Sequence, residues 1–222
     1  MTELVFLLDR SLSMKRLVSD TIGGFNSMIK RQQEETDGNA LVSTILFDRE
    51  SIVLHDQVPL SKIEPLTEKY YEFCGFSTAL LDAIGDAMKH IMEIHNYIRK
   101  YALPLPKTLF VIITDGLDNA SHKFDYGQIK RLIERQKKYY SWEFLFLGAN
   151  IDAIKTAGHI GIDARRAVNY HADSKGTCKV YEAVGNFVQA FSASPAFEMN
   201  GLFDDGSWRE DIDKDFLDRI KK

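Results

Sequence analysis

The sequence has very few cysteines for its length: Cys74 and Cys178 are the only two among 222 residues. Two thiols form at most one disulfide, so a small fold held together by several disulfides is excluded. Each cysteine stands near apolar or aromatic residues, and although the two could pair, we expect buried free thiols in a reducing compartment. The six histidines lack metal-ligand spacing and the cysteines lack zinc spacing, so zinc is not expected.

An excess of positive charge is also missing, as are membrane and signal segments. The formal net charge is −4, which gives no electrostatic reason to expect binding to nucleic acid or to an anionic membrane. No apolar run is long enough to span a bilayer, and no basic segment followed by an apolar one marks a signal peptide. We therefore expect a cytoplasmic protein with neither nucleic acid nor membrane as its partner.

The chain has enough apolar residues for one large core, and they occur in an alternating order. Hydrophobic residues make up 45% of the sequence. Apolar runs alternate with amphipathic stretches, which indicates a doubly wound, mostly parallel α/β sheet of about six strands with helices on both faces. Predicted strands cover residues 4–8, 41–47, 51–58, 108–114, 142–147 and 167–170, and predicted helices cover 18–33, 80–101, 126–138, 152–157 and 175–192.

Within this pattern the strands at 4–8 and 109–113 should be adjacent at the centre of the sheet, and 51–58 should form one antiparallel edge. Gly23-Gly24 inside the first helix predicts a kink or a close approach. We divide the chain into a domain at 1–193 and an extension at 194–222. In the extension, aromatic residues alternate with acidic ones, which leaves folding back, docking on a partner and disorder open.

Oxygen-bearing side chains follow the first predicted strand at alternate positions: Asp9, Ser11 and Ser13. Ligands bind at the C-terminal ends of strands in open α/β sheets, and oxygen ligands suit Mg²⁺, Mn²⁺ or Ca²⁺ better than zinc or copper. The same residues also fit a plainer interpretation, in which Asp9 ends the strand and Ser11 or Ser13 caps the next helix.

Two later segments place further oxygen groups at comparable points. Thr78 lies at a loop-to-helix junction, in Gly75-Phe76-Ser77-Thr78-Ala79, and Asp115 directly follows the most hydrophobic strand. Together, the three segments resemble the metal-ion-dependent adhesion site (MIDAS) of von Willebrand factor type A (vWA) domains, which combines D-x-S-x-S, a threonine in a later loop and an aspartate in a third. The resemblance covers roughly residues 1–192, and the Thr-Asp-Gly-x-x-Asn-Ala-Ser run at 114–121 resembles the stand-alone bacterial or phage members.

The resemblance implies a vWA fold and a bound Mg²⁺ or Mn²⁺. It implies direct ligation by Ser11, Ser13 and sometimes Thr78, with Asp9 and Asp115 acting largely through bound waters. A carboxylate from a protein partner would complete the octahedral shell. Leu12 departs from the pattern, because many members have glycine there, and it should restrict the loop and place an apolar side chain near the site.

Several other residues have plainer interpretations. Asp48 and Asp118 could interact with the metal indirectly, through its direct ligands. We favour the interpretation that both are solvent-exposed aspartates in turns. Asp82 is predicted to steady the start of its helix, and His122 is predicted to be a surface histidine. Basic residues at 130–131 and 135–138 should form the solvated face of one helix.

Two classes of function follow. The first is a non-enzymatic, metal-dependent module that binds an acidic side chain of a protein partner; the resemblance implies an intracellular adaptor or assembly factor, with AAA+ ATPase complexes as a specific expectation. The second is a Mg²⁺-dependent phosphohydrolase. No D-x-D pair, activated nucleophile or glycine-rich phosphate loop supports the second, so the sequence favours the binding module.

Overall fold

The computed structural model of the chain describes residues 1–35, 39–71, 77–195 and 205–220. Strands and helices alternate along most of this length. In chain order they are β1 (Thr2–Asp9), α1 (Val18–Glu35), β2 (Ala40–Phe47), β3 (Ser51–Pro59), α2 (Leu80–Lys100), β4 (Lys107–Thr114), α3 (Tyr126–Tyr140), β5 (Glu143–Ala149), α4 (Ala153–His159), β6 (Ala167–Tyr170), α5 (Ser174–Ala193) and α6 (Glu210–Ile220). Except for α6, each was predicted to within a few residues.

The six strands form one sheet in the order β3-β2-β1-β4-β5-β6. All neighbours run parallel except β2 and β3, which pair as an antiparallel hairpin at one edge. The predicted α/β sheet is therefore confirmed, including the central adjacency of β1 and β4, in which Leu8 lies opposite Ile113.

The helices cover both faces of the sheet because the central strands are apolar on both sides. Leu4, Phe6 and Leu8 of β1 belong to a core shared with α1 and α5, whereas Val5 and Leu7 belong to a second core shared with α2 and α3. Within the described residues, no helix combines the length and apolar character needed to cross a membrane.

Gly23 and Gly24 mark a close approach between helices. The helix α1 runs on through both residues. A Cβ on Gly24 would lie 2.4 Å from Cδ2 of Tyr181 on α5, whereas a Cβ on Gly23 would meet nothing within 4 Å. Gly24 thus lets the Tyr181 ring lie directly against the α1 backbone.

The described part of the extension folds back on the domain. Ile212 of α6 is buried in the same core as α1 and α5. Phe216 stacks on His171, just after β6, and Arg219 binds Asp173, the N-cap residue of α5, at 2.7 Å. These contacts place α6 against β6 and α5.

The prediction for the cysteines is wrong at one position. Cys178 is an exposed free thiol on α5, because the helix turns it outward while Thr177 and Val180 face inward. Cys74 lies outside the described residues.

Candidate metal site

The C-terminal ends of β1 and β4 bring two aspartates to the same edge of the sheet. Asp9 is the last residue of β1, and Asp115 directly follows the last residue of β4, Thr114. Because the two strands are paired in parallel, their ends lie side by side. The sequence therefore places two carboxylates close together at the centre of the sheet edge.

Both carboxylate oxygens of Asp9 accept hydrogen bonds inside the protein. Oδ1 accepts the backbone N–H of Ser11 at 2.7 Å, and Oδ2 accepts the hydroxyl of Thr114 at 2.6 Å. The first bond turns the chain back after β1, as an Asx-turn does. The second ties the end of β1 to the end of β4, so the buried Asp9 has a defined orientation.

The two serines link Asp9 to Asp115. The Ser13 hydroxyl donates to Asp115 Oδ1 at 2.6 Å, and the Ser11 and Ser13 hydroxyl oxygens are 2.9 Å apart. Ser11 is buried and Ser13 is exposed, so the cluster opens to solvent on the Ser13 side. Ser11 makes no side-chain capping bond to the 3-10 helix that follows it, so the capping interpretation does not hold for that residue.

Thr78 lies next to this cluster, on the loop that leads into α2. Its backbone N–H donates to Asn119 Oδ1 at 2.7 Å, and its carbonyl accepts the Asn119 N–H at 3.0 Å. A Cβ placed on Gly116 would lie 3.4 Å from Thr78 Oγ1, which locates the hydroxyl beside the residue that follows Asp115. The preceding residues of this loop, 72–76, lie outside the described residues.

The electrostatics of the cluster favour a cation. The pKa of Asp115 is raised to about 6, chiefly by burial; the nearby charge of Asp9 acts in the same direction, and the Ser13 hydrogen bond acts against both. Burial also raises the pKa of Asp9, despite the hydrogen bonds from Thr114 and Ser11. Two partly desolvated carboxylates disfavour their own charge, and a cation between them would relieve that cost.

The donor chemistry fits a hard divalent ion. The cluster offers hydroxyl and carboxylate oxygens, which Mg²⁺ and Mn²⁺ prefer. Among residues 1–35, 39–71, 77–195 and 205–220, no group of three histidine, cysteine, aspartate or glutamate side chains is placed to hold a metal. An oxygen site rich in hydroxyls is consistent with that result, because only two of its five side chains are acids.

Comparison with known proteins gives matches at the level of structure alone. No protein-family model matches the sequence, and no curated protein matches it. The ArnB paralog VWA2 from Sulfolobus acidocaldarius matches with a TM-score of 0.50 and 16% identity, over 83% of this chain and 44% of that one. The chain has the von Willebrand factor type A fold.

Two further vWA matches have metal-bound structures. Proximal thread matrix protein 1 from the mussel byssus matches with a TM-score of 0.56 and 13% identity, over 84% of this chain and 45% of its own. Another structure of that protein has a zinc-occupied MIDAS motif. The manganese-loaded TRAP protein of Plasmodium vivax matches with a TM-score of 0.55 and 12% identity, over 86% and 73% of the two chains. The present chain therefore spans less than half of the mussel and Sulfolobus chains.

Leu12 fits the candidate metal site without backbone strain. It is the first residue of a 3-10 helix, Leu12–Leu17, and its side chain is half-buried. Its backbone is not among the non-glycine positions with positive φ that the structure describes. The loop of this chain therefore does not require the glycine that many vWA domains have there.

Two aspartates near the site differ from their predicted roles. Asp48 is buried, and its carboxylate contacts Arg10 at 3.1 Å, so it is not a solvated turn aspartate. Asp82 accepts the backbone N–H groups of residues 122, 123 and 124 at 2.9–3.0 Å. It holds the loop after β4 against α2, and it does more than steady a helix start.

Asp118 and His122 complete the set of predicted neighbours. Asp118 is half-buried and accepts the Leu81 N–H at 3.2 Å, so it anchors the start of α2 and is not the solvated turn aspartate that was predicted. The His122 side chain is 76% exposed, as predicted. Sequence reasoning missed Thr114 and Asn119 as supporting residues, although both stand within the 114–121 run that carries the resemblance.

Proposed function

We propose that this chain is a metal-dependent protein interaction module, which works as an intracellular adaptor or assembly factor. In this proposal Ser11, Ser13 and Thr78 hold Mg²⁺ or Mn²⁺ directly, and Asp9 and Asp115 hold it largely through water. The bound ion supplies an electrophilic position for a carboxylate oxygen. An acidic side chain of a protein partner, with AAA+ ATPase complexes as the specific expectation, would occupy that position.

The observation that carries the proposal is the hydrogen-bonded set Asp9, Ser11, Ser13 and Asp115, with Thr78 beside it. Two carboxylates and three hydroxyls leave a divalent ion less neutralised than three carboxylates would. The exposed Ser13 lies on the open side, where a partner's oxygen has access. The metal-bound states of the mussel and Plasmodium proteins support the same assignment by analogy of fold.

Titration calorimetry and thermal unfolding with Mg²⁺ and Mn²⁺ test the metal. Ion binding only to the folded state stabilises it by about 2.7 kcal/mol at a hundredfold excess over the dissociation constant. We expect Asp115→Ala to abolish this stabilisation and to leave the metal-free protein folded, because it removes one of two mutually repelling carboxylates. Asp218→Ala, an exposed aspartate on α6, is the matched control and should respond to metal as the wild type does.

Capture of partners from host extract tests the interaction. Proteins retained by the wild type should be released by a chelator and should be absent with Asp115→Ala. Turnover of a generic phosphomonoester by the metal-loaded chain, lost in the same variant, would instead indicate the phosphohydrolase. Equal metal binding by wild type and Asp115→Ala would remove Asp115 from the site.

A further inference from the structure

A polar cavity lies between α2 and α3, far from the metal site. Its volume is about 60 Å³, and residues of the C-terminal halves of both helices line it. His95, one of these residues, is about 22 Å along α2 from Leu80, at 1.5 Å of helical rise per residue. Its ring contacts Glu3 near the start of β1, so the cavity is at the opposite end of the sheet from Asp9.

Two polar side chains that line the cavity are almost completely buried and have unused hydrogen-bonding groups. Gln136 is 2% exposed, and its side-chain amide makes no hydrogen bond to any part of the chain that the structure describes. His95 is also 2% exposed; its Nε2 lies 3.0 Å from Glu3 Oε2, and Nδ1 has no partner among the described residues. Neither the Gln136 amide nor His95 Nδ1 belongs to the fully buried polar atoms without a partner, so water reaches both, and a ligand oxygen could take the place of that water.

Two arginines from different helices also line this cavity: Arg99 from α2 and Arg135 from α3. Arg99 donates to Asn96, and its guanidinium lies 4.7 Å from the centre of the Tyr140 ring. Neither arginine forms an ion pair with a carboxylate of residues 1–35, 39–71, 77–195 or 205–220. Both arginines are exposed residues, and neither is paired with an acid of the described chain, since the Glu3 carboxylate contacts His95 instead.

We propose that this cavity binds a phosphate group. Its volume is that of about two water molecules, which suits one compact oxyanion and excludes a ring-containing ligand. Two guanidinium groups and two side-chain amides supply donors from both helices, and a tetrahedral phosphate can accept from several directions at once. A carboxylate presents its two oxygens in one plane, whereas a phosphate presents its oxygens in a tetrahedron, which suits donors that come from two different helices better. The phosphate can be free inorganic phosphate or the terminal group of a monoester.

Calorimetric titration of the full chain with inorganic phosphate tests the proposal. A chelator is present throughout, so that no ion at the metal site contributes. We expect saturable binding at one site, weakened by about tenfold or more in Arg99→Gln and in Arg135→Gln, because each loses a charge-assisted hydrogen bond. Gln136→Leu keeps the size of the side chain but removes the amide, and should also weaken binding.

The matched control is Arg131→Gln. Arg131 is exposed on α3, one turn before Arg135, and does not line the cavity. The Arg131→Gln substitution removes the same charge from the same helix as Arg135→Gln, and phosphate binding should be unchanged. Asp115→Ala should also bind phosphate like the wild type, which separates this site from the proposed metal function. Absence of binding, an equal loss in Arg131→Gln, or equal affinity for acetate would overturn the proposal.

A second titration with glycerol 1-phosphate distinguishes the two sources of the group. Tighter binding of the ester than of inorganic phosphate would assign the cavity to the end of a larger molecule. Equal affinity would assign it to free phosphate. Thermal unfolding of each variant checks that a loss of binding is not a loss of fold.

Discussion

Arg10 carries a buried positive charge at a position next in sequence to the candidate metal site. The residue follows Asp9, is 5% exposed, and has its guanidinium 3.1 Å from Asp48, which is 1% exposed. Asp48 also accepts the Glu50 N–H at 2.9 Å, so the turn after β2 holds its carboxylate in position. Asp48 therefore compensates the buried charge of Arg10.

We expect Asp48→Ala to lower the free energy of unfolding by about 3–5 kcal/mol, because loss of one partner leaves a buried charge without compensation. Urea denaturation measures this change. Glu34→Ala is the control: Glu34 forms an exposed pair with Lys30 at 3.9 Å, and its loss should cost at most a few tenths of a kcal/mol. Similar costs for the two substitutions would contradict the special role of the Arg10–Asp48 pair.

His55 makes a pH-dependent contribution to stability. It lies on β3, is 7% exposed, and has Nδ1 3.1 Å from Thr44 Oγ1. Burial lowers the pKa of His55 below its ordinary value of 6.5, although Glu64 acts in the opposite direction. The folded state therefore binds fewer protons than the unfolded state, and the stability that neutral His55 provides is complete above pH 6.5 and falls below it.

The expected result is a steeper loss of unfolding free energy in the wild type than in His55→Gln between about pH 7 and pH 5. Urea denaturation at several pH values gives both slopes. The comparison of slopes removes the contribution of the other histidines, which both proteins share. Parallel slopes would show that His55 takes up its proton as easily folded as unfolded.

At the level of elements, the strands were predictable because their patterns are local. A run such as residues 4–8 is apolar at every position, and only a strand covered on both faces buries all of it. The order of the central strands also followed from the alternation with helices. The candidate site was predictable only in part, because D-x-S-x-S is local whereas its connection to β4 is not.

The contacts that escaped prediction join residues far apart in the sequence. Thr114 donates to Asp9 across 105 positions, and Asp82 accepts N–H groups about 40 positions later. A polar side chain at the end of a strand or helix has the same local sequence pattern whether its hydrogen-bond partner is water or a distant backbone group. Asp48 illustrates this. Its position in a turn predicts exposure to water, but the Arg10 guanidinium contacts its carboxylate and both side chains are buried.

Lys107, at the start of β4, secures the C-terminus of α5. Its Nζ donates to the carbonyls of Phe191, Ser192 and Ser194 at 2.7, 3.1 and 2.5 Å. The last carbonyls of a helix lack partners within the helix and favour a positive charge. Burial lowers the pKa of Lys107.

Lys107→Met should destabilise the protein by about 1–3 kcal/mol, because these carbonyls lose their donor while the aliphatic part of the side chain is kept. Thermal and urea unfolding measure the loss. Lys214→Met, at an exposed position on α6, removes the same charge and should change stability by no more than about 0.5 kcal/mol. A wild-type stability in Lys107→Met would show that water replaces the ammonium at no cost.

At the level of the whole molecule, the question is whether α6 unfolds together with the sheet and the other helices. Several contacts at this end of the chain are polar: Arg209, just before α6, donates to the carbonyls of Ala164 and Ala167, and Arg219 of α6 binds Asp173. Such pairs contribute little when they are exposed. The apolar anchor is Ile212, which is 2% exposed and packs in the core that α1 and α5 share.

If α6 is a part of the cooperative domain, Ile212→Ala should lower the free energy of unfolding of the whole protein by about 2–5 kcal/mol, the cost of a cavity in a core. Leu217→Ala is matched to it on the same helix: Leu217 is 54% exposed, and its loss should cost no more than about 0.5 kcal/mol.

The two tryptophans report on different regions, since Trp142 lies in the core beside Phe110 and Trp208 contacts Phe187 next to α6. Fluorescence and far-UV circular dichroism should therefore give one coincident transition that shifts only in Ile212→Ala. An early fluorescence transition, with the main unfolding step unmoved by Ile212→Ala, would instead show that α6 detaches before the sheet unfolds.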